Sequence, residues 1–360
     1  MKIIDIYIIK KFLGTFFYAI TLLILIVIIF DISENIDNFI KNEAPLKAIV
    51  IDYYVNFIPY FINLFIYLFT FISVIFFTSK LAGNTEIIAI LSSGVSFRRL
   101  LYPYLLSAIF LALFSFYLGN FLIPQTNKTR RIFKNSYMEK LTKDNERNLH
   151  LQISPGTFVY VESYSSVLHE GKRFSLEKFD EQNLTYKVIA EKIKYDTTNR
   201  TWLIKDYYER TFDSIKGHNL RKGEEKELTG IQLNPLDLYK IKERFEEMNL
   251  FELNDYIESE RRKGSIAYKK YEIEKHKRIA GPVAIIILTF IGVALSSRKV
   301  RGGIGMHLGV GIALTFSYIL LMQISTVFST YGSLSPMIAS WIPNTIYFFI
   351  GLYLLRVAPK

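Results

Sequence analysis

GGIGMHLGVGIALTFSYILLMQISTVFSTYGSLSPMIASWIPNTIYFFIGLYLL, residues 302–355, contains no charged side chain. A helix rises about 1.5 Å per residue and the hydrocarbon core of a bilayer is about 30 Å thick, so about 20 apolar residues span it. The run is long enough for two crossings, and Thr330-Tyr331-Gly332-Ser333-Leu334-Ser335-Pro336 has the composition of the turn between them. Working outward, Phe12 to Phe30, Tyr53 to Ser79, Leu100 to Asn127 and Ile279 to Ser297 are also free of charge. The pattern predicts a polytopic α-helical membrane protein with six transmembrane helices, three before and three after an insert. The insert, Pro124 to Lys277, carries 30 basic and 26 acidic residues and cannot lie in lipid.

The short segments Met1–Lys11, Lys80–Arg99, Arg298–Arg301 and Arg356–Lys360 hold eleven Lys or Arg and two acids, Asp5 and Glu86. The opposite loop, expected from Asp31 to Val50, holds Asp31, Glu34, Asp37 and Glu43 against Lys41 and Lys47. Positive residues collect on the cytoplasmic side. Both termini are therefore expected in the cytoplasm and the insert outside it. The net charge of +11 belongs mostly to these cytoplasmic segments. A nucleic-acid footprint, which clusters cations on a soluble face, is not indicated.

Cysteine is absent, which excludes thiol catalysis and cysteine-ligated metal. The first apolar run is longer than a signal-peptide core and reads as a retained span. The insert reads mainly as β-structure of sandwich or jelly-roll type, with strands over Val159 to Ser163, Phe174 to Asp180, Leu184 to Tyr195 and Trp202 to Phe212. Leu184, Tyr186, Val188 and Ala190 would share one face. Turns are expected at Ser154-Pro155-Gly156, Glu170-Gly171-Lys172, Asp196-Thr197-Thr198-Asn199 and Lys216-Gly217-His218-Asn219. Leu250, Leu253, Tyr256 and Ile257 have helical spacing with Gly264 as a stop, and a charged helix from about Ser265 to Arg278 leads into the fourth span.

No catalytic constellation stands out. The five histidines form no His-x-x-x-His pair, and no phosphate-binding Gly-x-x-x-x-Gly-Lys-Ser/Thr loop occurs. Gly302-Gly303-Ile304-Gly305 follows no strand; Gly305 and Gly309 read instead as a close helix–helix approach. His307 reads as an interfacial residue near a helix end. Ionisable groups deep in the spans are lacking, which argues against proton- or sodium-driven transport. The segment Asn84 to Gly94 reads as a short helix between spans two and three, capped by Asn84 or Thr85 and ended by Gly94. Too short to cross a bilayer, its apolar surface must meet headgroups or a protein groove.

The motifs in order are Glu86-Ile87-Ile88-Ala89-Ile90-Leu91-Ser92-Ser93-Gly94-Val95-Ser96, Ser154-Pro155-Gly156-Thr157-Phe158-Val159-Tyr160-Val161 and Asn234-Pro235-Leu236-Asp237-Leu238. Met248-Asn249-Leu250-Phe251-Glu252-Leu253, His276-Lys277-Arg278-Ile279-Ala280-Gly281-Pro282, Gly332-Ser333-Leu334-Ser335-Pro336 and Trp341-Ile342-Pro343-Asn344 follow. In this order the chain resembles the lipopolysaccharide-export permease family (LptF/LptG, or YjgP/YjgQ type) of Gram-negative inner membranes. Its opening Ile4-Asp5-Ile6-Tyr7-Ile8 resembles the LptG type more than the LptF type.

The resemblance implies an ABC-transporter permease subunit, not itself an enzyme, that needs no cofactor or metal of its own. ATP and Mg would be used by a cytoplasmic ATPase dimer. The implied partners are a second six-span permease, a single-span jelly-roll protein, a periplasmic bridge protein and lipopolysaccharide. It also implies a division into 1–123 with a coupling helix at about 84–94, a periplasmic β-jelly-roll over 124–277, and spans four to six over 278–360. Glu86, Ile87, Ile88, Ala89 and Gly94 would be the ATPase-coupling residues. The substrate rim would include Glu34, Asp37, Lys41 and Lys47. Here the chain departs from the family, whose second permease type often carries lysine where this chain has Glu34. Two other classes remain: a permease for a different lipid or lipoprotein, and a membrane-anchored scaffold or binding protein. The four-span lipoprotein-release permeases place their outer domain after the first span, unlike this chain.

Overall fold

The computed structural model describes residues 2–138, 146–165, 168–197, 199–213, 217–231, 233–238, 245–265, 268–298 and 303–358. In chain order the helices before the insert are α1 (Ile3–Lys41), α2 (Leu46–Gly83), α3 (Glu86–Ser92) and α4 (Phe97–Tyr137). Then come strands β1 (Glu146–Ser154), β2 (Thr157–Ser165), β3 (Glu170–Asp180), β4 (Asn183–Asp196), β5 (Thr201–Asp213) and β6 (Gly217–Leu228). The chain finishes with α5 (Leu250–Arg262), α6 (Tyr268–Ser296), α7 (Gly303–Tyr331) and α8 (Pro336–Val357). Among the described residues α1, α2, α4, α6, α7 and α8 are long and apolar enough to cross a membrane, three on each side of the sheet. The chain forms two compact units: Met1–Met138 with Glu247–Leu250 and Lys269–Lys360, and Glu139–Glu246 with Phe251–Tyr268.

In the helical unit α2 joins two cores. Ile66, Val74 and Phe77 pack with Ile8, Phe12, Phe16 and Ile20 of α1 and with Leu100, Tyr104 and Leu111 of α4. The four α1 residues recur every four positions, so one stripe of the helix is buried while its other apolar faces are not. Phe71 and Ile75 face the second core, with Ala284, Leu288 and Ile291 of α6, Tyr318 of α7 and Tyr347 of α8. Small residues set the spacing there. A Cβ placed on Gly292 would lie 2.9 Å from Val74 Cγ1, and one on Gly311 would run into Ile75. Asn344 ties α8 to both neighbours, donating to the Ala280 carbonyl (2.8 Å) and accepting from the Tyr318 hydroxyl (2.9 Å).

Two expectations are corrected. α1 does not end at Phe30 but continues through Asp31–Lys41, because Phe39 has a place in an aromatic cluster with Tyr53, Tyr54, Phe57 and Phe133. The Tyr53 and Tyr54 hydroxyls also donate to the Asp31 carboxylate (3.1 and 3.0 Å), so an acid that suggested a loop is satisfied on a helix. Among the described residues no neighbouring helix meets Gly305 or Gly309: the space beside each is open. His307 lies near the start of α7, as expected, and is buried. It is 5% exposed, and its Nδ1 lies 2.7 Å from Ser79 Oγ of α2. Elsewhere the turn between α7 and α8 falls where expected; Ser335 Oγ accepts from the Ile338 amide (3.3 Å) to cap α8.

The second unit is a six-stranded antiparallel sheet in the order β1-β2-β3-β4-β5-β6. The β-structure expected of the insert is present, and sequential strand order refines its topology to a meander. Val159, Val161, Phe174, Leu176, Val188, Ala190 and Ile204 bury one face, and Tyr186 packs on it with Val188; the ladder then slips by one residue and sets Leu184 opposite Phe179, outside this core. The Trp202 indole donates to the Leu233 carbonyl (2.8 Å) at one edge of this core. Two expected turns are strand instead: Glu170-Gly171-Lys172 opens β3, and Gly217 to Asn219 opens β6, Lys216 lying outside the described residues. Gly171 is there for space, since a Cβ would meet Ile193 and Val161 at 2.8 Å. The turn after β4 is present, with Asn199 Nδ2 donating to Asp196 (2.9 Å); Thr198 is outside the described residues. α5 ends as expected at Gly264, whose φ of +76° suits a helix stop.

Candidate functional site

The short helix α3 is held at both ends by left-handed backbone. Thr85 sits at φ +62° just before it, and Gly94 at φ +85° just after. The expected side-chain cap is absent: the Asn84 amide donates to the Glu86 carboxylate instead (3.1 Å), and Thr85 Oγ1 donates to the Asn84 carbonyl. Gly94 closes the helix through its amide on the Leu91 carbonyl (3.0 Å). Ser96 then caps α4, its Oγ accepting from the Arg99 amide (3.3 Å).

Helical spacing divides the coupling residues into two sets. Ile87 is 1% exposed and packs with Leu81, Phe97 and Leu100, while Ile90 and Leu91 lean on the same core. Ile88 is 56% exposed, and Ala89 and Gly94 are open as well; Glu86 is half-buried at the helix start. Ile87 therefore anchors α3 to its own chain, and outward contact falls to Glu86, Ile88 and Ala89.

A second anchor was not singled out in the sequence. Arg99 grips Asp5 of α1 with both guanidinium nitrogens (2.7 Å each), and Asp5 also accepts from the Lys2 amide (2.7 Å). The fork is planar and bidentate, the stronger form of an Arg–carboxylate pair. Asp5 is wholly buried. The signal was one acid amid the basic residues of Met1–Lys11.

At the opposite ends of α1 and α2, Glu34, Asp37, Lys41 and Lys47 are all exposed. α1 carries the first three and Lys47 opens α2. Alongside, Asn42 Nδ2 donates to the Tyr137 carbonyl of α4 (2.8 Å), and Phe39 meets Phe133 at 6.1 Å between ring centres. The outer part of α4 thus lies beside the outer part of α1, and it carries Lys128, Arg130, Arg131 and Lys134 without an acid. Arg130 sits 5.3 Å from the Tyr60 ring, and Arg131 pairs with Glu247. Sequence reading missed these cations because they were counted with the insert.

The sequence profile of the lipopolysaccharide export system permease LptF/LptG matches residues 6–357. This chain belongs to the LptF/LptG family. The permease is therefore a multi-pass membrane subunit of a lipopolysaccharide export system, a transport subunit rather than a catalytic chain. It is also similar to the lipopolysaccharide export system permease protein LptG of Escherichia coli strain K12, 20% identical over 286 residues that make up 76% of each chain. The LptG protein of Escherichia coli O6:H1 gives the same identity and coverage. The match takes in α3, the sheet and all six spans of the permease.

Proposed function

We propose that this permease works by ATP-driven extraction of lipopolysaccharide from the inner membrane, with α3 as the lever on which a cytoplasmic ATPase dimer pulls. One observation carries the proposal: α3 presents Ile88 and Ala89 outward while Ile87 packs into the core of α1, α2 and α4, and the Asp5–Arg99 fork ties α1 to the start of α4 close by. A pull on such a helix moves the spans instead of peeling the helix away. ATP and Mg belong to the ATPase, and Glu86 meets a basic group of that subunit. Membership of an Lpt system and the likeness to LptG support the LptG-type role, beside a second six-span permease.

In this reading both termini and α3 are cytoplasmic, and the segment over 124–277 is periplasmic. The sheet receives the lipid and hands it on to a single-span partner and a periplasmic bridge protein. α1 and α7 have the least of their apolar windows covered within the chain, 22% each, which suits them to border a cavity shared with the second permease. Glu34, Asp37, Lys41 and Lys47 lie at its outer rim. The lysine that the family resemblance led one to expect near Glu34 has a substitute on the same chain: the α4 cations Lys128, Arg130 and Lys134 supply charge for lipid phosphates.

Co-purification of the tagged protein in mild detergent, with Glu86→Arg alongside, tests the proposal. The expected result is a complex with an ATPase dimer and a second six-span protein, with ATPase activity that the substitution weakens. A chain that purifies alone and is indifferent to Glu86→Arg sinks the lever and favours a membrane-anchored scaffold.

A further inference from the structure

Beside the foot of α3 lies a cavity of about 160 Å³ lined by Ser79, Lys80, Asn84, Arg298, Gly303 and His307. Its walls come from the end of α2, the end of α6 and the start of α7. At roughly 30 Å³ per water, the space matches a phosphate-sized group rather than an acyl chain. Three kinds of group converge on it. Lys80 and Arg298 are exposed cations at the point where the uncharged runs Tyr53 to Ser79 and Ile279 to Ser297 stop. α7, 29 residues long, begins at Gly303, which lines the cavity, so the positive end of its dipole lies beside it. His307 is 5% exposed and its Nδ1 is engaged by Ser79 (2.7 Å), while its Nε2 has no hydrogen-bond partner among the described residues. Nε2 is the ring nitrogen left to meet a ligand, and it is a donor in the tautomer in which Nδ1 accepts from the serine hydroxyl.

The chemistry is that of an oxyanion site: two cations, a helix start and the His307 imidazole, with no carboxylate among the described lining residues. Its depth identifies the source. Where the uncharged runs end is where phospholipid phosphates lie, and basic pockets between spans at this level take anionic head groups. We propose that this cavity binds the phosphate of an anionic membrane phospholipid, held by Lys80, Arg298, His307 and the α7 N-terminus next to α3. Gly303 and Ile304, from the glycine-rich stretch that follows no strand, line this cavity at the start of α7, with Gly303 at φ +63°. A side chain there would strain the backbone at the mouth of the site.

The test is native mass spectrometry of the detergent-purified permease, in whatever complex it forms, titrated with phosphatidylglycerol and phosphatidylcholine. The expected result is a preference for phosphatidylglycerol that falls roughly thirtyfold in Lys80→Gln/Arg298→Gln, as two cations near an anionic surface would give. His307→Phe, which keeps a ring but no donor, should lower it by a smaller factor. Lys10→Gln/Lys11→Gln removes two cations from α1 and should leave the preference unchanged. Equal binding of both lipids, or an equal loss in the α1 variant, overturns the site in favour of general surface charge. Displacement of bound lipid by millimolar inorganic phosphate overturns the lipid assignment in favour of a soluble anion. None of these readouts depends on ATPase capture, so the site and the lever stand or fall separately.

Discussion

α6 and α7 are both 29 residues long and both apolar, yet 61% of the apolar window of α6 is covered within the chain and 22% of that of α7. The difference lies in where small residues point. Gly281 and Gly292 of α6 admit Tyr67, Val74 and Phe71 of α2, whereas α7 sets Gly311 against Ile75 but leaves Gly305 and Gly309 on open space. In lipid, water is no longer the arbiter of burial, and close packing of small residues decides which helices associate. Hydropathy locates a span; it does not say which of its faces meets protein.

The largest effect tests this contrast on a single turn of helix, in α3. Ile87→Ala should cost about 2–4 kcal/mol by leaving a cavity in the core, read as a lowered thermal midpoint in detergent, while Ile88→Ala should cost little and act on ATPase capture. Equal effects would erase the division of α3 into an anchoring and an open face. Gly292→Leu comes next. Overpacking against Val74 and Phe71 should cost about 1–3 kcal/mol, and a variant as stable as the parent would mean that α6 is less tightly seated than its covered surface indicates. Gly309→Leu is the counterpart on α7. It should leave the midpoint unchanged and instead weaken co-purification of the second six-span protein; a midpoint drop matching that of Gly292→Leu would break the comparison.

The smallest effect separates the sheet from the helical unit. The Lys226 ammonium, 2.8 Å from both carboxylate oxygens, and the Tyr186 hydroxyl at 2.9 Å hold Glu209 below the usual glutamate range. A depressed folded-state pKa stabilises fully above the unfolded value of about 4.3 and is lost as pH falls through the folded one. Acidification below about pH 4 should therefore loosen the sheet, and Glu209→Gln should flatten that part of the profile. Hydrogen exchange at the β5 and β6 amides reads the change; an unaltered profile in the variant would remove Glu209 from the account.

The uncharged runs placed every span, because a charge in lipid is costly enough to leave a gap visible in one sequence. They failed at the ends. Asp31 and Asn35 look like loop residues until Tyr53 and Tyr54 take up the carboxylate and Asn35 Nδ2 bonds the Asp31 carbonyl (3.0 Å). β6 was invisible for a different reason. Its run from Arg221 to Glu227 has scarcely an apolar residue, and it is a strand because β5 supplies a ladder, including Tyr208 opposite Lys222 and Ile204 opposite Lys226. Charged edge strands of this kind resist unwanted pairing, at the price of a legible pattern. At the coupling site the residues were legible and their directions were not: Glu86 to Gly94 stood out as a unit, but only packing separates Ile87 from Ile88. The Asp5–Arg99 fork joins residues 94 apart in the chain, a pairing that no local pattern encodes.

The π-turns Ile49–Tyr54 in α2 and Leu118–Leu122 in α4 act as phase shifters. Each accommodates an extra residue, and one residue is worth about 100° of rotation about a helix axis. In α4 the buried stripe steps by three or four residues as far as Leu118 and then by five to Ile123, with buried Asn120 between them. Helical wheels drawn through either span therefore need two origins, one for each side of the bulge. Excising one residue from 118–122 would keep α4 apolar and continuous while swinging Lys128, Arg130 and Lys134 away from α1. Indels too small to register in a hydropathy profile could thus re-aim the charged rim of the permease.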